Sequence, residues 1–329
     1  MADRSVLVTG GAGYIGSHAV LALLDAGQSV VVLDDLSSGS RDAVASNVPL
    51  VVGDVADGAL VRSTIREHAV DAVMHFAGSI AVSESVIDPL KYYRNNTCAS
   101  QALVTACAEA GVSRFIFSST AAVYGAAECQ PVTEDSDVRP ESPYGTSKLI
   151  TEWMLRDLAV AKSDFRYVVL RYFNVAGADP AGRTGQRTPN ATHLIKVACE
   201  AALGLRDQVD VFGTDYDTPD GSGVRDYIHV SDLASIHLLA LNYLDGDGAS
   251  MVLNCGYGYG FSVRQVLSAV QREAGRNFPI RNAPRRAGDI PSLVADATRI
   301  RDVFGWRPRH ANLDDIVKHS LAWERKWRG

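Results

Sequence analysis

The chain has 329 residues, of which 47% are hydrophobic, so it is long enough for one large domain or two closely packed ones with a sizeable core. Its formal net charge is −6 and no run of basic residues stands out, which argues against nucleic acid and anionic membranes as partners. No apolar stretch reaches about 18 residues, so no membrane span is predicted.

The number and spacing of the cysteines and histidines indicate the redox compartment of the protein and whether it binds a metal. Five cysteines, an odd number without a Cys-x-x-Cys pair, indicate reduced thiols in a cytoplasmic protein. The predicted first strand begins within a few residues of the N-terminus, which leaves no room for a signal peptide. The eight histidines show no ligand spacing, and no metal site is expected.

A strand, a glycine-rich turn, a helix and a second strand open the chain. The first strand is predicted at residues 5–9, and Gly10, Gly13 and Gly16 follow it. The second strand ends in Asp34, 18 positions after Gly16. An acid about 20 residues beyond the glycines is typical of a dinucleotide-binding βαβ unit.

The parts of this unit suit NAD. Glycines permit a tight turn and the close approach of a pyrophosphate, and the helix N-terminus offers N–H groups to the phosphates. Asp34 would accept hydrogen bonds from the adenosine ribose, and its charge would repel a 2′-phosphate, which favours NAD over NADP. A glycine-rich turn that binds nothing is the alternative, but the full strand–turn–helix–strand context favours the cofactor.

Strands and helices alternate along much of the remaining chain. Strands are predicted at residues 5–9, 30–34, 50–52, 72–76, 115–118 and 168–172, and helices notably at 60–68, 89–110, 143–161, 230–244, 263–274 and 313–328. Six strands joined by crossover helices predict an α/β fold with a doubly wound parallel sheet, the Rossmann arrangement.

After about Gly177 the pattern changes to long polar loops and short elements. We therefore predict an NAD-binding Rossmann domain at residues 1–177 and a smaller C-terminal α/β lobe at residues 178–329, closely packed and with some chain returning to the sheet. The lobe is expected to bind the substrate over the carboxyl ends of the strands, where ligands bind in such folds.

Ser118, Ser119 and Thr120 follow the strand predicted at residues 115–118. Hydroxyl residues often do no more than cap the end of a strand. Because the carboxyl ends of parallel strands carry the ligand sites of these folds, Thr120 is expected to lie close to Tyr144.

Tyr144 and Lys148 are the main catalytic candidates. Four residues apart, they share one face of a helix that Ser142 and Pro143 are well suited to begin. A lysine ammonium beside a phenol favours the phenolate, so the pKa of Tyr144 is expected to fall from about 10 towards the working range and make it a general base. A surface lysine near a packed tyrosine is the alternative; the cofactor motif and the hydroxyl-ended strand favour chemistry.

These features together resemble the extended short-chain dehydrogenase/reductase family, over nearly the whole chain. The motifs that carry the resemblance are residues 8–16, 75–78, 92–96, 118–120, 144–148, 170–174, 220–230 and 283–286. The last three are typical of members that epimerise nucleotide sugars.

The resemblance implies a site for NAD and a site for a UDP-sugar. The implied cofactor-binding residues are Gly10, Gly13, Tyr14, Ile15, Gly16, Asp34, Asp54, Val55, Phe76, Ala77, Asn95, Ser118, Tyr144, Lys148 and Tyr172. The implied substrate-binding residues are Thr120, Tyr144, Phe173, Asn174, His193, Phe212, Arg225, Arg286, Asp289 and Leu293. Asp54 would reach the adenine, and Arg225 and Arg286 would bind the diphosphate. The alternative interpretation of either arginine is a surface ion pair.

Two positions depart from the family pattern. Ile80 stands where some members carry a lysine after the Phe-Ala-Gly run, so one contact with the pyrophosphate is expected to be missing. His193 stands where many members carry an asparagine.

The implied activity is the reversible, NAD-dependent epimerisation of UDP-glucose and UDP-galactose at C4 through a transient 4-keto sugar, with NAD retained, in galactose metabolism. Thr120, Tyr144 and Lys148 would be the catalytic residues. Sister enzymes that dehydrate or decarboxylate a keto sugar carry an acid after the threonine, where this chain has Ala121 and Ala122.

Several alternatives share the fold. They are a UDP-pentose or UDP-N-acetylhexosamine 4-epimerase and a nucleotide-sugar dehydrogenase or reductase. A cofactor-sensing protein without catalysis would be expected to lose Tyr144 or Lys148. The resemblance also implies a homodimer formed through the helices predicted at 89–110 and 143–161.

Overall fold

A computed structural model describes residues 4–127, 129–188, 191–286 and 289–328. The α-helices are α1 (Tyr14–Asp25), α2 (Gly58–Glu67), α3 (Val82–Ile87), α4 (Pro89–Tyr92), α5 (Ala99–Glu109), α6 (Pro143–Ala161), α7 (Leu194–Ala202), α8 (Val230–Asp245), α9 (Val263–Ala274), α10 (Thr298–Phe304) and α11 (Leu313–Arg328). The strands are β1 (Ser5–Thr9), β2 (Ser29–Asp34), β3 (Leu50–Val52), β4 (Val70–His75), β5 (Arg114–Thr120), β6 (Arg166–Tyr172), β7 (Asn174–Ala176), β8 (Val209–Phe212), β9 (Val224–Arg225), β10 (Tyr227–His229), β11 (Met251–Cys255), β12 (Phe261–Ser262), β13 (Ile280–Ala283) and β14 (Ser292–Leu293).

The largest sheet has seven strands in the order β11-β6-β5-β4-β1-β2-β3. The strand pairs from β3 across to β5 are parallel, with Val8 of β1 opposite Val32 of β2 and Met74 of β4. The predicted doubly wound sheet is confirmed, and the order of the strands reverses between β1 and β4, where such folds bind their ligands. Strand β11 was not among the six predicted strands, because its apolar run follows the change of pattern after Gly177.

Burial on both faces explains the apolar strand sequences. Val31, Val32 and Leu33 of β2 are fully buried, as expected when helices cover both sides of a parallel sheet. One core cluster joins Leu7 and Phe115 of the sheet to side chains of α2 and α5. This packing fixes the strand ends that carry the candidate site.

The predicted helix at residues 89–110 is interrupted. Between α4 and α5, Tyr93–Cys98 forms a π-helix, a wider turn that is often found at functional sites. Within it the buried Asn96 side chain accepts from Ser79 N and donates to Ser79 O and Ser147 Oγ. By contrast, α6, α9 and α11 have the predicted bounds.

The chain forms two compact units, each built from three stretches. Unit 1 comprises Met1–Val123, Pro140–Arg171 and Ala234–Leu253 and holds most of the seven-stranded sheet. Unit 2 comprises Tyr124–Arg139, Tyr172–Leu233 and Asn254–Gly329. It contains the strand pairs β10-β7 and β13-β8 and the three-stranded sheet β12-β9-β14. Among the described residues, every helix is too short or too polar to cross a bilayer.

Candidate active site

The turn from β1 to α1 is packed closely around its glycines. Gly10 has a φ of 69°, in the left-handed region, and a Cβ there would lie 2.6 Å from Ala77 N. A Cβ at Gly16 would overlap Gly10 O. Gly13 stands at the N-cap of α1, so no side chain caps the first turn of this helix. Bare backbone at a helix N-terminus suits a pyrophosphate.

Asp34 ends β2 beside this turn. Its Oδ2 accepts from Ala12 N at 2.9 Å and its Oδ1 accepts from Leu36 N at 2.8 Å. Burial raises the pKa of Asp34, and the two backbone donors lower it. Each carboxylate oxygen retains further acceptor capacity for a ribose hydroxyl, so the turn and its acid fit the dinucleotide predicted from the sequence.

Hydrogen bonds hold the end of β4 and the loop after it, and one of the residues involved, His75, had no role assigned from the sequence. His75 Nδ1 bonds with Thr9 Oγ1 at 2.7 Å and its Nε2 bonds with Ser100 Oγ at 2.8 Å; burial lowers the pKa of His75 to about 3, so the ring is neutral. In the loop that follows β4, Ser79 Oγ accepts a hydrogen bond from Asn95 Nδ2 of the π-helix. A histidine at the end of an apolar strand was the available signal for His75.

The ends of β5 and α6 bring three predicted catalytic residues together. Lys148 Nζ donates to Ser118 O at 3.0 Å and lies 4.9 Å from the centre of the Phe117 ring. The Thr120 side chain hydrogen-bonds with Tyr144. The sequence-based expectation that Thr120 lies near Tyr144 therefore agrees with the geometry.

Helix α6 starts where its residues favour a start. Ser142 Oγ accepts from Gly145 N at 3.2 Å, and Pro143 occupies the first turn. A Cβ at Gly145 would lie 2.6 Å from Ala122 O, so only glycine lets the helix approach the segment after β5 this closely. That approach sets the position of Tyr144.

Protonation of the pair differs from the sequence-based expectation. Burial raises the pKa of Tyr144, and the hydrogen bond with Thr120 lowers it only in part. Burial also lowers the pKa of Lys148 to about 8, while Glu152 raises it. The expected fall in the Tyr144 pKa is wrong for the protein by itself, because desolvation disfavours the charged form of both residues.

Glu152 forms a buried network that the sequence did not reveal. Arg171 NH2 donates to Glu152 Oε2 at 2.6 Å, and Ser119 Oγ donates to Glu152 Oε1. Both the carboxylate and the guanidinium are nearly fully buried. In the sequence Glu152 looks like an ordinary surface acid of a helix; its place one turn after Lys148 was the only hint.

The remaining cofactor positions implied by the resemblance are distributed between the units. In unit 1, Asp54 follows β3 and accepts from Ala56 N, and Val55 is buried. Phe76 packs on the His237 ring at 4.7 Å between ring centres. In unit 2, Tyr172 ends β6 and is buried.

Unit 2 groups several of the implied substrate residues. The Arg286 guanidinium lies 4.5 Å from the centre of the Phe212 ring and donates to Asp289 Oδ2 at 2.9 Å. Tyr216 and Arg285, which the sequence reasoning had not assigned, stack at 4.2 Å in the same unit. The aromatic rings hold both guanidinium planes in place, which suits recognition of an anionic group.

Arg225 and Leu293 are register partners across β9 and β14. Arg225 NH2 donates to Ile290 O at 2.8 Å, so backbone carbonyls orient its side chain. Leu293 is buried. The small sheet of unit 2 thus places a cation and an apolar side chain next to each other.

Three further implied substrate residues belong to segments outside the three-stranded sheet of unit 2. Phe173 is buried, and the exposed Asn174 begins β7, which pairs with β10. The exposed His193 precedes α7, and Gln186 Nε2 donates to its Nδ1 at 2.8 Å.

A second cluster in unit 2 consists of His229, His310 and His319, whose ring nitrogens lie within 4.8 Å of one another. Ser231 N donates to His229 Nδ1 at 3.0 Å, so the ring proton of His229 is on Nε2, 3.0 Å from His319 Nδ1. A metal on His229 Nε2 would need the other tautomer, which would set two donors against each other. The cluster is therefore better suited to internal hydrogen bonding than to metal binding.

The Rossmann sheet carries a glycine turn, an acid at the end of β2, and a Thr–Tyr–Lys group where the end of β5 meets α6. These features define a nucleotide-cofactor-dependent enzyme of the short-chain dehydrogenase/reductase type. The model of the NAD dependent epimerase/dehydratase family matches residues 6–256. The chain belongs to this family.

Full-length relatives narrow the comparison. The chain is 59% identical over 324 residues to a UDP-glucose 4-epimerase of Azospirillum brasilense, covering 98% of this chain and 93% of the relative. It resembles the crystal structure of a UDP-glucose 4-epimerase from Bifidobacterium longum in complex with NAD+ and UDP, with a TM-score of 0.94, 40% identity and 98% coverage of both chains. A Brucella ovis UDP-glucose 4-epimerase in complex with NAD gives a TM-score of 0.94 at 44% identity, covering 97% of this chain and 98% of that one.

Proposed function

We propose that the protein catalyses the reversible, NAD-dependent epimerisation of UDP-glucose and UDP-galactose at C4, through a transient 4-keto sugar and with NAD retained. The observation that carries the proposal is the Thr120–Tyr144–Lys148 group at the end of β5, in a chain 59% identical to a UDP-glucose 4-epimerase over nearly its whole length.

The chain's own residues would move the proton. When bound, NAD supplies the hydride acceptor and, once reduced, the hydride donor. Tyr144 as phenolate takes the proton from the sugar 4-hydroxyl and later returns it, and the Thr120 hydroxyl bonds to the Tyr144 oxygen. Because burial raises the pKa of Tyr144, its phenolate requires a positive charge close by, and Lys148 on the same helical face provides one.

The proposed substrate contacts lie in unit 2. The guanidinium groups of Arg225 and Arg286 would bind the diphosphate, as forked donors do. Asp289 would bind the uridine ribose, exchanging part of its ion pair with Arg286 for a hydroxyl. Holding UDP while the keto sugar turns over would allow hydride return to the opposite face.

The end point of the reaction is testable by product analysis. Thr120 is followed by Ala121 and Ala122 in a short 3-10 turn, and an alanine has no group that could transfer a proton from C5. Purified protein incubated with a panel of UDP-sugars, without added NAD, should convert UDP-glucose into UDP-galactose of equal mass. Loss of water, or of carbon dioxide from UDP-glucuronate, in the mass spectrum would contradict the proposal.

The size of Leu293 is proposed to set the range of sugars. As an intermediate side chain, it should admit UDP-glucose, UDP-galactose and UDP-pentoses and disfavour UDP-N-acetylglucosamine. Leu293→Tyr should penalise the N-acetyl sugar more than glucose, by about 1–3 kcal/mol in transition-state binding if overpacking is the cause. Leu293→Ser should shift the ratio of kcat/KM values the other way. Equal effects on both sugars would show that Leu293 does not face the C2 substituent.

We further propose a cytoplasmic homodimer that serves galactose metabolism. The described cysteines are all free thiols, as expected in a reducing compartment. Ile87, Leu90, Trp153 and Val160 are exposed apolar side chains of α3, α4 and α6, an unusual concentration for a monomer's surface. Light scattering should give the mass of a dimer for the wild type and half that mass for the double variant Leu90→Glu with Trp153→Glu. A wild-type protein with the mass of a single chain would contradict the dimer.

A further inference from the structure

Glu152 extends the face of α6 that carries Tyr144 and Lys148. The three residues follow one another at intervals of four, so they stand one turn apart on the same side of the helix. The Glu152 side chain is 4% exposed and is paired with Arg171 through bonds of 2.6 Å and 3.1 Å. A buried carboxylate needs such a partner, because desolvation otherwise outweighs its interactions.

Ser119 links this ion pair to the end of β5. It lies between Ser118, whose carbonyl accepts from Lys148 Nζ, and Thr120, whose hydroxyl bonds with Tyr144. Its own hydroxyl donates to Glu152 Oε1. The carboxylate therefore ties the backbone that holds both catalytic contacts to the helix that presents Tyr144 and Lys148.

Resting on the proposed function, we propose that Glu152 is a positioning residue for the proton transfer: it fixes the end of β5 against α6 and places a negative charge one helical turn from Lys148.

The charges around Lys148 support this role. Burial lowers the pKa of Lys148 to about 8, and the carboxylate of Glu152 opposes that fall. On β4, His75 is neutral, since burial and Lys148 hold its pKa at about 3. Tyr144 is uncharged in the resting state, and Arg171 on β6 is engaged by Glu152. Among the described residues, the negative charge that raises the Lys148 pKa is therefore that of Glu152.

Two single variants separate charge from structure. Glu152→Gln removes the carboxylate charge and keeps an acceptor for Arg171 and Ser119. Arg171→Gln breaks the same ion pair but leaves the carboxylate one turn from Lys148. The double variant Glu152→Gln with Arg171→Gln buries no unpaired charge, so it decides the question if either single variant fails to fold.

The titration of Lys148 is measured in the purified holoprotein by its 13Cε NMR shift, assigned with Lys148→Met. Glu152→Gln and the double variant should lower the midpoint by about one pH unit, the low end for loss of an opposite charge nearby, while Arg171→Gln should not. The alkaline limb of kcat for UDP-glucose should move with the midpoint, and at pH 9 kcat should fall about tenfold relative to wild type. Glu152→Asp should restore most of the profile.

An unchanged midpoint in Glu152→Gln, or an equal shift in Arg171→Gln, would overturn the role of Glu152. A wild-type protein without epimerase activity would instead reject the proposed function, and the NMR titration would still decide the role of Glu152.

Discussion

Burial acts in opposite directions on the two candidate catalytic side chains. It raises the pKa of Tyr144 and lowers that of Lys148 to about 8, because a desolvated site disfavours phenolate and ammonium alike. The contacts that oppose this effect are the Thr120 hydrogen bond for Tyr144 and the Glu152 carboxylate for Lys148. The hydrogen bond with Thr120 holds the Tyr144 hydroxyl in place, and the hydrogen bond to the Ser118 carbonyl holds the Lys148 ammonium in place.

Tyr144→Phe tests the base. The variant keeps the ring that packs edge-on against Tyr92 and loses only the hydroxyl, so the fold and bound NAD should be retained. Turnover of UDP-glucose should fall roughly 10²–10⁴-fold, the usual contribution of general acid–base catalysis. The matched control is Tyr167→Phe, near the start of β6, which should keep near-normal kcat. Near-normal turnover in Tyr144→Phe would reject the assignment.

Lys148 should make stability depend on pH. Its pKa is about 8 in the folded protein against 10.5 when unfolded, so between these values the unfolded chain binds more protons and stability rises with pH. From pH 7 to pH 10, the unfolding free energy of the wild type should therefore increase by about 2 kcal/mol relative to Lys148→Met. Urea unfolding at several pH values measures the difference. A constant difference would show that Lys148 is not desolvated.

At the scale of elements, three contacts hold α6 against the end of β5 and the segment after it. The helix approaches Ala122 through Gly145, Lys148 reaches the Ser118 carbonyl, and Glu152 holds Ser119. The three contacts are about one turn apart along the helix. A displacement of α6 would therefore change the position of Tyr144 relative to Thr120.

Gly145→Ala tests this approach. The new methyl group would lie 2.6 Å from Ala122 O, so the helix must shift. The variant should lose about 1–3 kcal/mol of unfolding free energy, as expected for overpacking, and kcat should fall with it. Gly58→Ala, at the first turn of α2, is the control: its methyl group meets the flexible end of Arg62 and should be neutral or stabilising by up to about 1 kcal/mol. Equal changes in unfolding free energy and kcat in the two variants would contradict the proposed need for glycine at position 145.

At the scale of the whole molecule, the candidate chemistry is divided between the units. Unit 1 holds the glycine turn, Asp34 and the Thr–Tyr–Lys group, whereas Arg225, Arg286 and Leu293 belong to unit 2. A reaction that borrows a hydride and returns it requires the cofactor to stay bound through every turnover.

Retention of NAD is measurable on the intact protein. Purified protein should release nucleotide on heat denaturation, at about one equivalent per chain if one Rossmann site binds one cofactor. Epimerisation should then proceed without added NAD. An absolute need for stoichiometric NAD, with NADH accumulating in solution, would favour a dehydrogenase instead.

The sequence by itself determined the doubly wound sheet, the bounds of α6, α9 and α11 and the cofactor motif, because these depend on local periodicity, caps and glycines at fixed spacing. It also indicated Thr120, Tyr144 and Lys148 as catalytic candidates, since short motifs place them on adjacent elements. Only the tertiary structure decided what depends on distant partners. Strand β11, the π-helix around Asn96 and the Ser119–Glu152–Arg171 network depend on contacts between segments far apart in the chain. The pKa of Tyr144 was misjudged for the same reason: the sequence shows which charge is near, but desolvation depends on how completely the folded chain excludes water.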